Sequence, residues 1–443
     1  MSLLIGAIAD DDTGATDLAG MLTSQGLRAI IVLETASAEQ LQEWSRSVDA
    51  VIIGTASRSV AKQDAYDRTF RAAELLLGLK PRLLAVKYCS TFDSTPEGNI
   101  GAALDAAMDA SGESFTVALP ALPALGRTTY MGYHFVGDQL LSDSTLRNHP
   151  LHPMTNPHLP SHLQSQTRRR VGLVTYKEGP TASAIQDRLT QMRTEGCAIA
   201  VLDCVDHAHL RRNAEAIAGM RLISGSSAWA TALPQVWRDQ ATLNLPAANL
   251  VPERCGEGNG FLIVSGSCSA ATRVQNEWMS SQEGCVTIAL DAVKLLDPAS
   301  DHDDVIGQAV QTLISAGTCL LTTTGVYGKA ELHAAAGSLG LDPIAAGERI
   351  SASLAKTVGE IFNHAMPQGL IVAGGETSSV LMRSLRLGAL RVGPNIEPGV
   401  PVCVALSKPN LGVALKSGNF GSQDFYARAR TAILQLPHGG SRL

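Results

Sequence analysis

The sequence predicts an α/β fold in which short apolar strands alternate with helices. Apolar runs recur along the chain, and most of them end in a loop rich in aspartate, glycine or serine that precedes a helical segment. At 443 residues the chain also exceeds the usual domain size of about 100 to 200 residues. We therefore expect two domains, each a largely parallel sheet flanked by helices.

The predicted boundary lies where proline and glycine accumulate after the middle of the chain. Pro246, Pro252 and Gly256 interrupt the strand and helix patterns there. The expected division is an N-terminal domain at 1–245, a linker at 246–259 and a C-terminal domain at 260–443.

The overall composition is that of a globular protein, with 45% hydrophobic and 17% charged residues. A net charge of −6 without a concentrated basic face argues against a nucleic-acid or membrane partner. No stretch approaches the roughly 20 apolar residues of a membrane span, so a cytoplasmic protein is expected. The eight cysteines are scattered without metal-binding spacing, which favours reduced thiols.

In the N-terminal half, the first apolar strand runs directly into Asp10, Asp11 and Asp12. In open α/β sheets, ligands bind at the carboxyl ends of the strands, which makes this acidic loop a candidate site. A helix is expected from Thr16 to Ser24, and the proline- and histidine-rich segment 142–165 is expected to be irregular. The further predicted strands are 29–33, 48–54, 83–88, 115–119, 171–176 and 199–203, with another helix at 62–78.

In the C-terminal half, four predicted strands end in small, mostly glycine-containing loops. The strands are 260–264, 318–323, 369–373 and 412–416, and the loops are 265–272, 324–325, 374–379 and 417–421. Glycine lets backbone amides approach an anion, and a helix that begins there favours negative charge, so these loops predict phosphate or nucleotide binding. The P-loop and dinucleotide-binding glycine patterns are both absent from the sequence.

Around the acidic loop, charged side chains at other strand ends suggest a site for a small, hydroxylated acid. Asp10 and Asp11 suit hydroxyl groups, Mg²⁺ or general-base catalysis, and Arg58 and Lys87 suit a carboxylate. Ser90 adds a hydroxyl group. Ser94 and Thr95, in contrast, are better explained as turn-forming residues.

Three other interpretations compete with a site that binds a small acid and a phosphate group. The spacing Asp10-x-Asp12 also fits a Mg²⁺-dependent phosphatase in which Asp10 is the nucleophile and Asp12 the general acid. That reading leaves the glycine-containing loops without a function, as does a non-catalytic sugar-acid-binding protein. The residues that resemble metal ligands are interpreted as turn residues, so no metal site is predicted from them; they are Cys204, Asp206, His207, His209, His149, His152, His158 and His162.

Several stretches resemble the four-carbon acid sugar kinase family over nearly the whole chain. They are 9–15, with its Ala-Asp-Asp-x-Thr-Gly-Ala signature, 87–101, 120–133, 149–155, 265–272, 374–377 and 417–421. The run 87–101 is similar to the branch that acts on 3-oxo-tetronate, with D-threonate or D-erythronate as the alternative substrate. Asp12 departs from the family pattern, which usually has an apolar residue there.

The resemblance implies ATP-dependent phosphorylation of the terminal hydroxyl of a four-carbon sugar acid, in a cleft between an acid-binding and an ATP-binding domain. Mg²⁺ is expected with ATP, the general base is expected to be Asp10 or Asp11, and a homodimer is left open. The implied substrate contacts are Asp11, Arg58, Lys87, Tyr88, Cys89 and Ser90. The implied nucleotide contacts are Ser267, Ser269, Gly374, Gly375, Glu376, Thr377, Gly418, Asn419, Phe420 and Gly421.

Overall fold

The computed structural model describes residues 3–33, 36–149, 152–240, 258–297, 299–323, 329–408 and 410–437. These residues divide into two compact units: the first takes those within 1–32 and 36–249, and the second those within 33–35 and 250–443. The predicted linker lies outside the described residues except for 258–259, and so does the predicted loop 324–325.

The first unit contains eleven described strands. In chain order they are β1 (Ile5–Ala9), β2 (Ala29–Val32), β3 (Ala50–Gly54), β4 (Leu83–Lys87), β5 (Thr116–Leu119), β6 (Arg127–Tyr130), β7 (Tyr133–Val136), β8 (Gln139–Leu140), β9 (Val171–Val174), β10 (Ile199–Leu202) and β11 (Leu222–Gly225). Eight of them pair in the order β2-β3-β1-β4-β11-β5-β10-β9, and every pairing among these eight is parallel. β1 is buried along its whole length, with β3 and β4 on its two edges and with the helices Asp12–Ser24 and Lys62–Gly78 packed against it.

Helices flank this sheet, as the sequence predicts. They are α1 (Asp12–Ser24), α2 (Ala38–Ser45), α3 (Lys62–Gly78), α4 (Asn99–Ser111), α5 (Leu159–Gln166), α6 (Ala182–Thr194), α7 (His207–Ile217) and α8 (Trp229–Asp239). The predicted start of α1 at Thr16 is wrong by about one turn, because Asp11 caps the helix and Asp12 already belongs to it.

The segment 142–165 is more regular than predicted. Short 3₁₀ helices occupy Leu141–Asp143 and Thr145–Asn148, and α5 begins at Leu159. Pro160 lies in the first turn of α5, where its missing N–H costs no intrahelical hydrogen bond. Proline in this segment therefore marks a helix start as well as irregular chain.

A small antiparallel sheet of β6, β7 and β8 follows β5 and was not predicted from the sequence. The carboxylate of Asp203 fixes it, accepting hydrogen bonds from the backbone N–H groups of Met131 (2.6 Å), Gly132 (2.9 Å) and Tyr176 (2.8 Å). Asp203 is 1% exposed, so these bonds are shielded from water. This buried carboxylate joins the β6–β7 turn to the loop after β9.

The second unit repeats the alternation of strands and helices. Its strands are β12 (Phe261–Ser265), β13 (Cys285–Ala289), β14 (Thr318–Thr322), β15 (Gly369–Ala373), β16 (Ala389–Glu397), β17 (Val400–Ala405) and β18 (Gly412–Lys416). Its helices are α9 (Ala270–Ser280), α10 (Ala292–Leu295), α11 (Asp303–Ile314), α12 (Lys329–Ser338), α13 (Pro343–His364), α14 (Gly375–Ser384) and α15 (Phe425–Leu434).

The strands of the second unit pair in the order β13-β14-β12-β15-β18-β17-β16. The first five run parallel, whereas β17 pairs antiparallel with both β18 and β16. The predicted class, two largely parallel sheets flanked by helices, is confirmed, but the antiparallel pair was missed. Among the described residues, no helix is long and apolar enough to cross a membrane.

Replacing Asp203 by Asn is expected to lower the free energy of unfolding by about 1–3 kcal/mol. The amide offers one acceptor oxygen where two oxygens now serve three buried N–H groups, and an unpaired buried donor costs roughly that amount. Urea unfolding checks this, with Asp187→Asn, an exposed aspartate on α6, as the matched control. Equal midpoints for Asp203→Asn and the wild type would contradict it.

Candidate active site

The ends of three neighbouring strands place the N-terminal candidate residues at one edge of the first sheet. Ala9 is in register with Gly54 of β3 on one side and with Lys87 of β4 on the other. The residues that follow these strands therefore start at the same level. This register brings Asp10 and Arg58, 48 positions apart in the chain, into contact.

The guanidinium of Arg58 lies between two aspartates. Its Nε and Nη2 donate to the two carboxylate oxygens of Asp10 at 2.9 and 2.8 Å, and its Nη1 lies 2.6 Å from Oδ2 of Asp11. Paired hydrogen bonds of this kind fix both distance and orientation. The structure thus brings together three predicted site residues, and it pairs Arg58 with carboxylates of its own chain.

Asp10 and Asp11 differ in their surroundings. Burial raises the pKa of the Asp10 carboxyl above its usual value, an effect that the neighbouring Arg58 opposes. Asp11 caps α1, with Oδ1 accepting from the backbone N–H of Gly14 and Oδ2 from the hydroxyl of Thr13 at 3.2 Å. The side chain of Asp11 is 24% exposed, against 11% for Asp10, so Asp11 is the more accessible of the two.

Asp12 lies in a different position from its two neighbours. It is 0% exposed, and its Oδ1 occupies the space where a Cβ on Gly54 would be. A general acid must reach its substrate, so this burial disfavours the phosphatase reading of Asp10-x-Asp12.

Lys87 ends β4 and is 3% exposed. Its ammonium donates to the backbone oxygen of Tyr88 at 3.1 Å and lies 3.8 Å from Oδ2 of Asp17 on α1. Burial raises the pKa of Asp17, and the charge of Lys87 opposes that shift. Asp17 is therefore an additional carboxylate at this edge, and it was not among the predicted site residues.

The three residues after Lys87 face different directions. Tyr88 is 1% exposed, and its hydroxyl lies 3.1 Å from that of Ser224, so its side chain supports the site from the interior. Cys89 is partly exposed, with Sγ 2.8 Å from Oγ1 of Thr91. The hydroxyl of Ser90 accepts a hydrogen bond from Nη1 of Arg127 at 2.8 Å.

Asn99, at the start of α4, holds the loop that carries Arg58. Its Nδ2 donates to the backbone oxygens of Ser57 (2.8 Å), Arg58 (3.0 Å) and Val60 (2.8 Å). Nε2 of His152 also lies 3.1 Å from the backbone oxygen of Arg58. The backbone at Arg58 is thus fixed independently of its side chain.

In the second unit, three neighbouring strand ends place the predicted nucleotide loops together. Ser265 of β12 is in register with Ala373 of β15, which is in register with Lys416 of β18. The loops that begin at Gly266, Gly374 and Ser417 therefore start side by side. α9 and α14 begin in the first two loops, and their first-turn N–H groups have no partners within the helices.

Lys416 lies beneath the third loop and is 0% exposed. Its ammonium donates to Oγ1 of Thr272 (3.1 Å) and to the backbone oxygens of Ser417 (3.1 Å) and Gly418 (3.2 Å). Burial lowers the pKa of Lys416 to about 8. Because peptide groups are planar, carbonyls that point at Lys416 direct the N–H groups of Gly418 and Asn419 away from it.

These two N–H groups form no hydrogen bond within the described part of the chain. A side chain at position 418 would force its surroundings to shift, because its Cβ would meet the hydroxyl of Ser267. The loop and the two helix N-termini thus present unpaired donors at one edge, an arrangement suited to phosphate oxygens.

Other predicted nucleotide contacts shape this edge. Ser269 caps α9 through the N–H of Thr272 (3.2 Å), and its Oγ lies 2.5 Å from the backbone oxygen of Gly418. The amide of Gln275 donates to the backbone oxygens of Phe420 (3.0 Å) and Gly421 (2.8 Å).

Glu376 is exposed in the first turn of α14. Burial of part of its side chain raises the pKa of Glu376, and the negative charge of Glu348 adds to this. Thr377 and Gly374 are buried, while Gly375 is partly and Asn419 largely exposed.

Sequence reasoning missed Arg127, Asn99 and Lys416. Lys416 carried a usable signal: 412–416 is an apolar strand that ends in lysine, as 83–87 does. Arg127 and Asn99 lie in the family-like stretches 120–133 and 87–101, but no local pattern predicts their contacts, because their partners lie 37 or more positions away.

The residues considered as metal ligands serve other purposes. Asp206 caps α7, and burial lowers the pKa of His209 to about 4. His162 is buried with Nε2 3.1 Å from Oγ of Ser94. Within the described residues, no group of three or more His, Cys, Asp or Glu side chains could hold a metal ion.

Comparison with known proteins agrees with this arrangement. A family model described as a sugar-binding N-terminal domain matches residues 5–233, and one described as a nucleotide-binding C-terminal domain matches 262–426. The two models together match most of the chain, on either side of residues 234–261.

Curated relatives identify the family more closely. The chain is 37% identical to a 3-oxo-tetronate kinase of Pseudomonas fluorescens, over 96% of each chain, and 37% identical to one of Burkholderia multivorans, over 97% of each. It belongs to this family of kinases, which confirms the family predicted from the sequence.

Solved structures show the same fold. A protein from Salmonella typhimurium LT2 superposes with a TM-score of 0.80 at 33% identity, covering 96% of this chain and 98% of the other. A protein from Haemophilus influenzae superposes with a TM-score of 0.75 at 33% identity, covering 96% and 99%.

Replacing Lys416 by Met is expected to weaken ATP binding roughly tenfold, equivalent to about 1.4 kcal/mol, by removing the positive charge and releasing the loop. Since the pKa of Lys416 is about 8, the wild type should also lose affinity as pH rises through 8, where the ammonium becomes neutral.

Calorimetric titration with ATP between pH 6.5 and 9.5 measures both effects. Lys294→Met, an exposed lysine on α10, is the matched control and should behave like the wild type. A Lys416→Met protein that keeps the wild-type pH dependence would show that Lys416 does not cause it.

Proposed function

We propose that this chain is an ATP-dependent kinase that phosphorylates the 4-hydroxyl of 3-oxo-tetronate, giving 3-oxo-tetronate 4-phosphate and ADP. The observation that carries the proposal is the near-full-length similarity to proteins named 3-oxo-tetronate kinase. The two groups of site residues support it, because one unit offers carboxylates, cations and hydroxyls and the other offers unpaired backbone donors. D-threonate or D-erythronate is the alternative substrate.

The residues of the second unit fit the phosphates of ATP. Gly418 and Asn419 offer free N–H groups over Lys416, and the N-termini of α9 and α14 supply further donors. Mg²⁺ is expected to enter with ATP, because it is usually held by substrate phosphates and few protein ligands. It would neutralise phosphate charge during transfer.

In the first unit, the Asp10–Arg58–Asp11 cluster would bind and orient the acceptor hydroxyl. One of the two carboxylates would take the proton of the 4-hydroxyl as that oxygen attacks the terminal phosphate. Arg58 holds both carboxylates in place, so neither must reorganise during the reaction. The raised pKa favours Asp10 as base, whereas greater exposure favours Asp11.

A panel assay tests the function. The protein is mixed with ATP, Mg²⁺ and 3-oxo-tetronate, D-threonate or D-erythronate, and ADP release is measured. We expect the highest kcat/KM with 3-oxo-tetronate, and preference for another acid would transfer the proposal to that acid. Phosphate release from sugar phosphates without ATP would instead support the phosphatase.

The general base can be identified by comparing the kcat of two variants, Asp10→Asn and Asp11→Asn. The substitution that removes it should lower kcat by about 10²–10⁴-fold and leave ATP affinity nearly unchanged. Asn caps a helix about as well as Asp, so Asp11→Asn should keep α1 intact. Calorimetric ATP titration and thermal unfolding serve as controls, and near-normal turnover in both variants would exclude this pair.

A further inference from the structure

Among the described cations at the candidate site of the first unit, Arg127 is the one without a carboxylate partner. Arg58 pairs with Asp10 and Asp11, and Lys87 lies 3.8 Å from Asp17. The guanidinium of Arg127 donates one hydrogen bond there, from Nη1 to Oγ of Ser90 at 2.8 Å. Its Nε is buried and has no hydrogen-bond partner in the described part of the chain.

The guanidinium of Arg127 lacks a hydrogen-bond acceptor for its buried Nε among the described residues. A guanidinium presents its donors as a planar fork that matches the two oxygens of a carboxylate, and a buried donor without an acceptor is unfavourable. Nε and a terminal nitrogen form such a fork in the Arg58–Asp10 pair of the same site. On Arg127 the corresponding Nε has no partner among the described residues, which leaves a donor for an acceptor from outside the chain.

The position of Arg127 is fixed by the surrounding structure. Arg127 is the first residue of β6, in the small sheet whose β6–β7 turn is held by Asp203. Its partner Ser90 follows β4, at the sheet edge that carries Asp10 and Arg58. Burial raises the pKa of Asp17, and the charges of both Lys87 and Arg127 oppose that rise, which places the two cations near the same carboxylate.

The charge balance also calls for this arginine. The carboxylates of Asp10, Asp11 and Asp17 outnumber the two cations, Arg58 and Lys87, by one. A bound sugar acid would add another negative charge. An acid would be repelled from these carboxylates without a further cation. Arg127 supplies that cation beside Ser90.

We infer that Arg127 binds the carboxylate of the four-carbon acid, with Ser90 orienting its guanidinium, and that Arg58 instead positions Asp10 and Asp11. The inference rests on the proposed function and deepens it, because it assigns the recognition of acid against neutral sugar to one residue. The ligand group is a carboxylate one carbon beyond the C2 hydroxyl of the substrate.

The test compares two ligands that differ only at this group: 3-oxo-tetronate, and the neutral ketose erythrulose, which carries CH₂OH where the acid has its carboxylate. Arg127→Met should raise KM for the acid roughly 10- to 100-fold, the usual range for a charged hydrogen bond. For erythrulose, measured as substrate or as competitive inhibitor, the constant should change less than about twofold.

Three variants complete the design. Arg127→Lys keeps the charge but loses the fork, so its KM should lie between those of the wild type and Arg127→Met. Ser90→Ala should raise KM for the acid a few-fold. Arg170→Met, an exposed arginine whose guanidinium donates to the backbone oxygen of Glu195, is the matched control and should match the wild type.

The outcomes separate this inference from the proposed function. An unchanged KM for the acid in Arg127→Met, or equal losses for acid and erythrulose, overturns the role of Arg127 while the kinase activity stands. No ADP release by the wild type with any four-carbon acid overturns the proposed function and this inference with it. Should Arg127→Met fail to fold, Arg127→Lys and Ser90→Ala decide by the same comparison.

Discussion

The candidate site of the first unit depends on the position of the Arg58 guanidinium between the carboxylates of Asp10 and Asp11. Asp10, Asp11 and Arg58 are held together by distances of 2.6–2.9 Å, and removing any one of them would leave like or unpaired charges in a partly buried position. The arrangement requires that β1 and β3 end at the same level. The register of the buried parallel strands β1 and β3 therefore determines the geometry of this charged cluster.

Both units use a lysine at the end of a buried strand, but for different purposes. Lys87 lies 3.8 Å from a carboxylate oxygen of Asp17 on α1, at the sheet edge that also carries Asp10 and Arg58. Lys416 has hydroxyl and carbonyl partners, which places its positive charge under a loop of free N–H groups. A cation paired with a carboxylate suits hydroxyl recognition, whereas a cation held by hydroxyl and carbonyl oxygens suits phosphate.

The sequence predicted the parts of the fold that depend on local pattern. Apolar runs located the parallel strands, and the residues after them located both groups of candidate site residues. The antiparallel β16–β17 pair and the β6–β8 sheet were missed although their strands are adjacent in the chain, because the prediction relied on strands that alternate with helices and these strands are joined by tight turns. The partners of Arg58 were missed for a different reason: the sequence suggested that it binds a ligand carboxylate, while the structure pairs it with Asp10 and Asp11, which lie far from it in the chain. Local pattern names the residues at an edge but not their partners.

The three hydrogen bonds from Asn99 have a consequence for the thermodynamics of ligand binding. They fix the backbone around Arg58 during folding, so the conformational entropy of that loop is lost before any ligand arrives. A ligand that binds to this preorganised cluster does not have to order the loop. Its affinity is therefore not lowered by the entropy cost of ordering that loop. The helix that begins with Asn99 therefore contributes to recognition through an amide that points at the protein's own backbone.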